Sequence, residues 1–441
     1  MLFGVKPLYY YANNEYFIFA SEIKAIYAAM DYKPEVDYNA IDNILRYAFN
    51  PGRDTIFYEI KKVLPGEQII VHDGNIKFER YWELKPNRDY KEINSKDKIE
   101  NFRELINEIV KENTYSDVKG GFFLSGGLDS SIITAIAMQN KNSNYNIPIS
   151  IRFLPYSVDD EKYVNILEKD FERKVEWVYI TPEIARNSLE ELIKFIDEPL
   201  ENPTHVGTYL MSKRAKELGL KTVITGDGAD ELFIGYERQE CWLKYKNAKE
   251  IYPSLSWKIS KKEMELLYNK DLLEKLKNKK CIPESISNMQ QALHYERSER
   301  LPEYHNMRLD RMTMAHGIEA KVPFQDYRIA DYSFKLSIEE LMKSTRKGWL
   351  KEVAKAWLSD EIIYRKKSIF PSLPNEWIAD SGIKWCKDIL LDSNSKINMY
   401  FCKNTLENLI KEHSTNKVKH GKELWALIVL ELWLRNLQNW K

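Results

Sequence analysis

The chain has little of what marks a secreted, membrane-bound or metal-clustered protein. Its four cysteines, Cys241, Cys281, Cys386 and Cys402, stand far apart and form no CxxC pair. That excludes a disulfide framework and a thiolate metal site, and reads as reduced thiols in a cytoplasmic protein. The seven histidines include no HExxH pair, so that zinc signature is absent. No apolar run reaches the roughly 20 residues a membrane helix needs. The N-terminus lacks a charged region followed by an apolar one, so no signal peptide is expected. Net charge is also lacking: Lys+Arg and Asp+Glu are both 66, which argues for neither nucleic acid nor a membrane surface as partner. What remains is 44% apolar residues over 441 positions. That is enough for a sizeable core and more length than one domain usually holds, so two units are expected.

The most informative stretch is Ser125-Gly126-Gly127-Leu128-Asp129-Ser130-Ser131. It follows the apolar run Gly121 to Leu124 and precedes the apolar, helix-compatible segment Ile132 to Met138. The context predicts strand, tight glycine turn, helix start. Glycines let the backbone turn sharply, and the new helix adds unpaired N–H groups and the positive end of its dipole. With the serine hydroxyls this makes a nest for phosphate. Asp129 would repel phosphate unless a cation lay between them, so it reads as a Mg²⁺ ligand. A plain Gly/Ser turn opening a helix is the bland alternative, and the acid within the turn argues against it. No lysine follows the second glycine, so this is not the GxxxxGK[ST] loop. The stretch resembles the SGGxDS pyrophosphate loop of ATP pyrophosphatases, which cleave ATP between the α- and β-phosphates.

Upstream, residues 1 to about 87 alternate apolar and polar. Strands are expected at 8–11 and 16–19, joined at Asn13-Asn14, with a helix at 21–29. Further β segments are expected at 55–57, 68–71 and 76–78, with Asp73-Gly74 as a hairpin turn. Residues 88–99, within a polar stretch rich in Lys, Asn and Asp, read as a linker. From about residue 98 strands and helices alternate. A helix at 95–110 is followed by strands at 147–153, 175–180 and 222–225 and by helices at 182–196 and 207–218. Such repeats predict a parallel sheet with right-handed crossovers and ligands at the carboxyl ends of strands.

A second acidic turn, Thr225-Gly226-Asp227-Gly228-Ala229-Asp230-Glu231, falls at such an end. Alone it could be a surface turn or a calcium loop. Beside the Ser125 turn it suits a second Mg²⁺ contact through Asp230. Residues 240–300 read as helical packing and surface. His316 reads as a hydrogen-bonded histidine beside a core helix. The Trp-rich C-terminal stretch reads as core.

Taken together, the two turns resemble the asparagine synthase domain of the glutamine-hydrolysing asparagine synthetase family. So do Arg308-x-Asp310-Arg311 with Gly317-x-Glu319-x-Lys321-x-Pro323-Phe324, and Arg365-x-Lys367-x-x-Phe370. Lys321 replaces the usual arginine and loses its bidentate fork. Gln325 replaces an apolar residue. Phrases at 3–10, 20–25 and 64–66 resemble the back half of the family's Ntn-type amidotransferase domain. The family's N-terminal cysteine nucleophile has no counterpart here, because no cysteine precedes Cys241.

The resemblance implies an α/β fold: a parallel sheet with helices on both faces, of the adenine nucleotide α-hydrolase-like ATP pyrophosphatase type, over residues 100–441. A truncated β-rich amidotransferase remnant over 1–87 precedes it. It implies ATP across Leu124, Ser125, Gly126, Gly127, Asp129, Ser130, Ser131, Ile151, Thr225 and Gly226, and Mg²⁺ on Asp129 and Asp230. Catalytic roles fall to Lys367 at the phosphates, Asp227 as proton acceptor, and Glu319 as a second choice or support. The implied reaction adenylates a carboxylate, with aspartate the first choice, and transfers ammonia to it. A separate glutaminase half and a homodimer are open as partners. Other carboxylates, such as a peptide or a sugar acid, stay open as substrates. A nucleotide-binding subunit without turnover is the alternative from another class.

Overall fold

The computed structural model describes residues 2–84, 95–139, 144–155, 160–244, 265–276, 288–365 and 373–440. The N-terminal segment opens with β1 (Tyr9–Ala12) and β2 (Phe17–Ala20), an antiparallel pair. The Asn13 carboxamide closes their turn by accepting from the Glu15 and Tyr16 amides at 2.8 and 2.7 Å. Helix α1 (Ile23–Ala29) buries Ile23, Ile26 and Tyr27. Helix α2 (Tyr38–Tyr47), which the sequence reading did not anticipate, starts at the Asp37 side chain and stops at Ala48 with φ 71°. Strand β3 (Lys61–Lys62) pairs with β1. Strands β4 (Glu67–His72) and β5 (Asn75–Arg80) form the expected hairpin. Asp73 and Gly74 both take positive φ there, as a type I′ turn requires. The strand expected at 55–57 does not form. The Thr55 hydroxyl donates to the Ile60 carbonyl at 2.7 Å, which folds the segment back, and only an isolated bridge joins Val36 to Phe57.

The second segment runs α3 (Ser95–Thr114), β6 (Gly120–Phe123), α4 (Leu128–Met138), β7 (Tyr145–Phe153), α5 (Asp160–Asp170) and β8 (Glu176–Ile180). It continues with α6 (Pro182–Leu192), α7 (Thr204–Glu217), β9 (Thr222–Ile224), α8 (Ala229–Leu232) and, much later, β10 (Glu319–Lys321). These strands form one parallel sheet in the order β10-β9-β6-β7-β8. Helices cover both faces, because neighbouring residues of a strand point opposite ways. Phe122 packs with Phe102 and Ile132 on one side, and Phe123 with Ala215 and Leu309 on the other. The chain leaves β6 toward β7 on one flank, while β9 lies on the other. The crevice above β6 and β9 is therefore a topological switch point, where open α/β sheets take ligands.

The C-terminal helix Gly421–Leu437 is core, as expected. Trp425 and Trp433 are buried in the same cluster as Tyr9, Ile26 and Phe57. Each such side chain contributes on the order of 2–3 kcal/mol of burial. Residues 240–300 are less superficial than expected, since Glu296, Arg297 and Arg300 are all buried.

The N-terminal segment also fixes the helix Met307–Met314. Lys6 bonds Asp310 at 2.7 Å, and Arg311 donates to the Ser21 carbonyl while pairing with Asp197.

Candidate active site

The turn after β6 has the predicted strand–turn–helix form. Gly126 takes φ 66°, a left-handed conformation that glycine enters at little cost. Gly127 caps α4. The Ser130 hydroxyl lies 3.1 Å from that of Ser125 and 3.2 Å from the Ser125 amide. The Gly127 amide donates to the Ser125 hydroxyl at 3.3 Å. Ser131 turns inward instead. It is fully buried and its hydroxyl donates to the Gly127 carbonyl at 2.7 Å, so it holds the turn and does not face the cleft.

The second turn packs directly on the first. A β-carbon at Gly226 would lie 2.7 Å from the Ser130 amide nitrogen and 2.8 Å from the Asp129 β-carbon. Together the two turns border a cleft of ≈ 420 Å³. Leu124, Ser125, Asp129, Ser130, Ile151, Thr225, Gly226, Asp227 and Asp230 all line it, with Arg308, Tyr236 and His305. The structure thus gathers most of the expected site residues from three separate stretches of sequence.

At the junction of the turns stands Lys347, which sequence reasoning missed. Its ammonium is 2.5 and 2.7 Å from the two Asp129 carboxylate oxygens and 2.5 Å from Asp230 Oδ1. Lys347 is 8% exposed. Burial alone would lower its pKa, but Asp129 and Asp230 outweigh burial and raise it. Two carboxylates from two turns thus converge on one cation. That donor set, oxygen only and small in number, suits Mg²⁺, which commonly takes one or two carboxylates and completes its shell from phosphates and water. Lys347 sits in an unremarkable polar run, Ser344-Thr345-Arg346-Lys347, and carries no signal short of the fold itself.

Gly235 makes room for this cluster. A β-carbon there would fall 1.7 Å from Asp230 Oδ1 and 2.5 Å from Lys347 Cε. Gly235→Ala must push Asp230 aside. The expected result is a loss of about 1–3 kcal/mol in stability with at least ~10-fold slower ATP turnover, read by thermal unfolding and pyrophosphate release. Unchanged turnover would mean that the position of Asp230 does not matter.

Behind Asp230 lies a buried polar group. The Tyr236 hydroxyl donates to Glu231 and lies 3.2 Å from His305 Nε2. Burial, helped by the Asp230 charge, pushes the Glu231 carboxyl up to about 7. Burial and the neighbouring arginines 300, 308 and 238 push His305 well below its ordinary value. Arg297 donates to the carbonyls of Glu231 and Leu232 at 3.0 and 2.7 Å, fixing the end of α8.

Asp227 lines the cleft with its Oδ1 paired to Arg308. Glu319 stands apart from it. It is on β10, half exposed, with its carboxylate 2.9 Å from Lys6, and it does not line the cleft. Lys321 does not enter the cleft either, and donates to the Asn113 carbonyl at 2.6 Å. Gln325 finds a buried partner: its amide and that of Asn306 exchange hydrogen bonds at 2.8 and 2.7 Å. His316 packs its ring 4.5 Å from that of Tyr209, with Nε2 unbonded among the described residues. Lys367 and Phe370 lie outside the described residues. The first residue of their phrase does reach the turn, since a β-carbon at Gly127 would be 3.7 Å from Arg365 Nη2.

Residues 101–435 match the family described as asparagine synthase, and residues 2–82 match a glutamine amidotransferase domain. Two Bacillus subtilis (strain 168) proteins align over nearly the whole chain. Asparagine synthetase [glutamine-hydrolyzing] 1 is 27% identical, covering 98% of this chain and 74% of the relative. Asparagine synthetase [glutamine-hydrolyzing] 3 is 26% identical over 99% and 75%. No helix among the described residues is long and apolar enough to cross a membrane.

Proposed function

The chain belongs to the asparagine synthase family, whose chemistry is ATP-dependent amidation, and from that premise we propose that it converts aspartate to asparagine with release of AMP and pyrophosphate. The observation that carries this reading is the pair of turns at adjacent parallel strand ends. Their acids Asp129 and Asp230 share one cation, and a third acid, Asp227, stands in the same cleft.

In this reading the Ser125–Ser130 turn and the start of α4 hold the phosphates through amides, hydroxyls and the helix dipole. Leu124, Ile151 and Gly226 flank the nucleoside. An oxygen of the substrate carboxylate forms a bond to the α-phosphorus as the bond to the β-phosphate oxygen breaks, and pyrophosphate leaves. Mg²⁺ held by Asp129 and Asp230 would neutralise charge on the phosphates. Lys347 and Lys367 add positive charge where the leaving group gains negative charge. Ammonia then bonds to the acyl carbon, its proton passes to Asp227, and the bond to AMP breaks.

In this reading ammonium supplies the attacking nitrogen to residues 1–441. Glutamine hydrolysis needs a nucleophile beside a base and an oxyanion site, and the residues matching the amidotransferase domain contain no cysteine. The purified 441-residue chain should therefore form asparagine from aspartate, ATP and ammonium, and only at background rate from freshly repurified glutamine. Glutamate release by this chain at the rate of amide formation would refute the nitrogen assignment. Adding a separate glutaminase polypeptide, if one serves this chain, should restore glutamine use.

A further inference from the structure

Arg308 lines the cleft with Asp129, Asp227 and Asp230, and its hydrogen bonds are lopsided. Nη2 donates to Asp227 Oδ1, and Nη1 donates to Thr204 Oγ1 at 3.3 Å. Thr204 is itself fixed, its hydroxyl donating to the Asn202 side chain at 2.7 Å. Nε is buried and has no hydrogen-bond partner among the described residues. In a guanidinium, Nε and Nη2 form one edge, with two parallel N–H groups that fit the two oxygens of a carboxylate. Asp227 engages only half of that edge. A buried donor left without a partner is costly, and a ligand that fills both donors recovers that cost.

We propose that Arg308 is the specificity-determining residue of this cleft: it takes a second carboxylate of the acyl substrate on its Nε–Nη2 edge and thereby releases Asp227. The inference rests on the amidation reading above and deepens it. The group being activated is one carboxylate, and the group being recognised is another. While the cleft holds no dicarboxylate, the guanidinium donates to Asp227 Oδ1 and competes with an incoming amine for that oxygen. When the second carboxylate seats on Arg308, the Nη2 hydrogen bond passes to the substrate and Asp227 Oδ1 becomes available. Thr204 keeps Nη1 in place, so the guanidinium does not turn during the exchange. Acids with a single carboxylate lack the group that frees the acceptor. They suffer twice, in binding and in the amine step.

The test compares aspartate with β-alanine, which is aspartate without its α-carboxylate, in the full chain with ATP and ammonium. Pyrophosphate and amide are measured together. For the unaltered protein, kcat/KM with β-alanine should be lower by roughly 100-fold, the scale of one lost buried charge contact. Arg308→Gln should raise the KM for aspartate by a similar factor, leave binding of a fluorescent ATP analogue intact, and, because it frees Asp227, raise the amide formed per pyrophosphate released with β-alanine. Arg308→Lys, which keeps charge but not the fork, should recover part of the aspartate KM. If the protein releases pyrophosphate equally well with both acids, or if Arg308→Gln lowers both by one common factor, Arg308 does not recognise a second carboxylate. If no pyrophosphate appears with either acid, the amidation of these acids is itself wrong and the role of Arg308 falls with it. Selectivity and turnover are read separately, so the two failures cannot be confused.

Discussion

Asp129→Asn is expected to slow pyrophosphate release by roughly 100-fold or more, about 3 kcal/mol of lost electrostatic stabilisation. The substitution keeps the shape of the side chain and removes its charge. Two effects follow from one atom pair. The cation position loses one of its two carboxylates, since Asp129 and Asp230 both reach the same point, now filled by Lys347. The buried Lys347 also loses one of the two acids that hold its ammonium charged against burial. Asp230 still compensates it, so the stability cost should stay near 1–2 kcal/mol and the fold should persist. The α4 helix that follows is anchored by Ile132, Ile133 and Ile136 in the core, not by Asp129. Thermal unfolding and pyrophosphate release measured on one preparation separate the two effects. A variant that unfolds normally and turns over at near-normal rate would remove Asp129 from the mechanism.

The difference between what the sequence disclosed and what it withheld follows the range of the interactions. Both turns were legible because their function is local. A strand end, glycines, an acid and a helix start lie within seven residues, and each constrains the next. The parallel sheet was legible for the same reason, through alternating apolar runs such as Ile147 to Phe153 and Val175 to Ile180. Strand β10 was not. Glu319-Ala320-Lys321 has one apolar residue, and it is a strand only because it pairs with Thr222 to Ile224 of β9. Thr55 to Phe57 errs the other way: β-prone residues are diverted by the Thr55 hydroxyl bonding the backbone nearby.

The same rule divides the site residues. Asp129, Asp227 and Asp230 belong to their turns and sit where expected. Lys347 comes from more than 200 residues away, as the separation in its hydrogen bond to Asp129 shows. A lysine in a polar run looks like surface until the fold buries it. Glu319 is the converse. Its phrase suggested a partner for Asp227, but β10 directs it to Lys6 of the N-terminal segment. Arg308 was visible as part of a phrase but not as a role, because its open Nε edge exists only once Thr204 and Asp227 are placed around it.

Asp227→Asn should divide the two half-reactions. Asparagine keeps an oxygen that can accept from Arg308 Nη2, so the guanidinium and the cleft wall should hold their places. It cannot take a proton from the attacking nitrogen. Adenylation transfers no proton to this side chain, since the substrate carboxylate is already ionised. Pyrophosphate release should therefore fall by no more than about 10-fold. Amide formation should fall 100- to 10,000-fold, the usual range for a lost general base. The acyl-adenylate that forms would then be lost to water, which returns the acid and AMP. The ratio of pyrophosphate to amide, near unity in the unaltered protein, should rise steeply. Lys367→Met offers the contrast. If Lys367 acts at the phosphates as its phrase implies, the variant should depress adenylation and pull amide formation down with it at an unchanged ratio. If Asp227→Asn instead lowers pyrophosphate and amide by one common factor, Asp227 serves substrate or nucleotide binding, and another group accepts the proton.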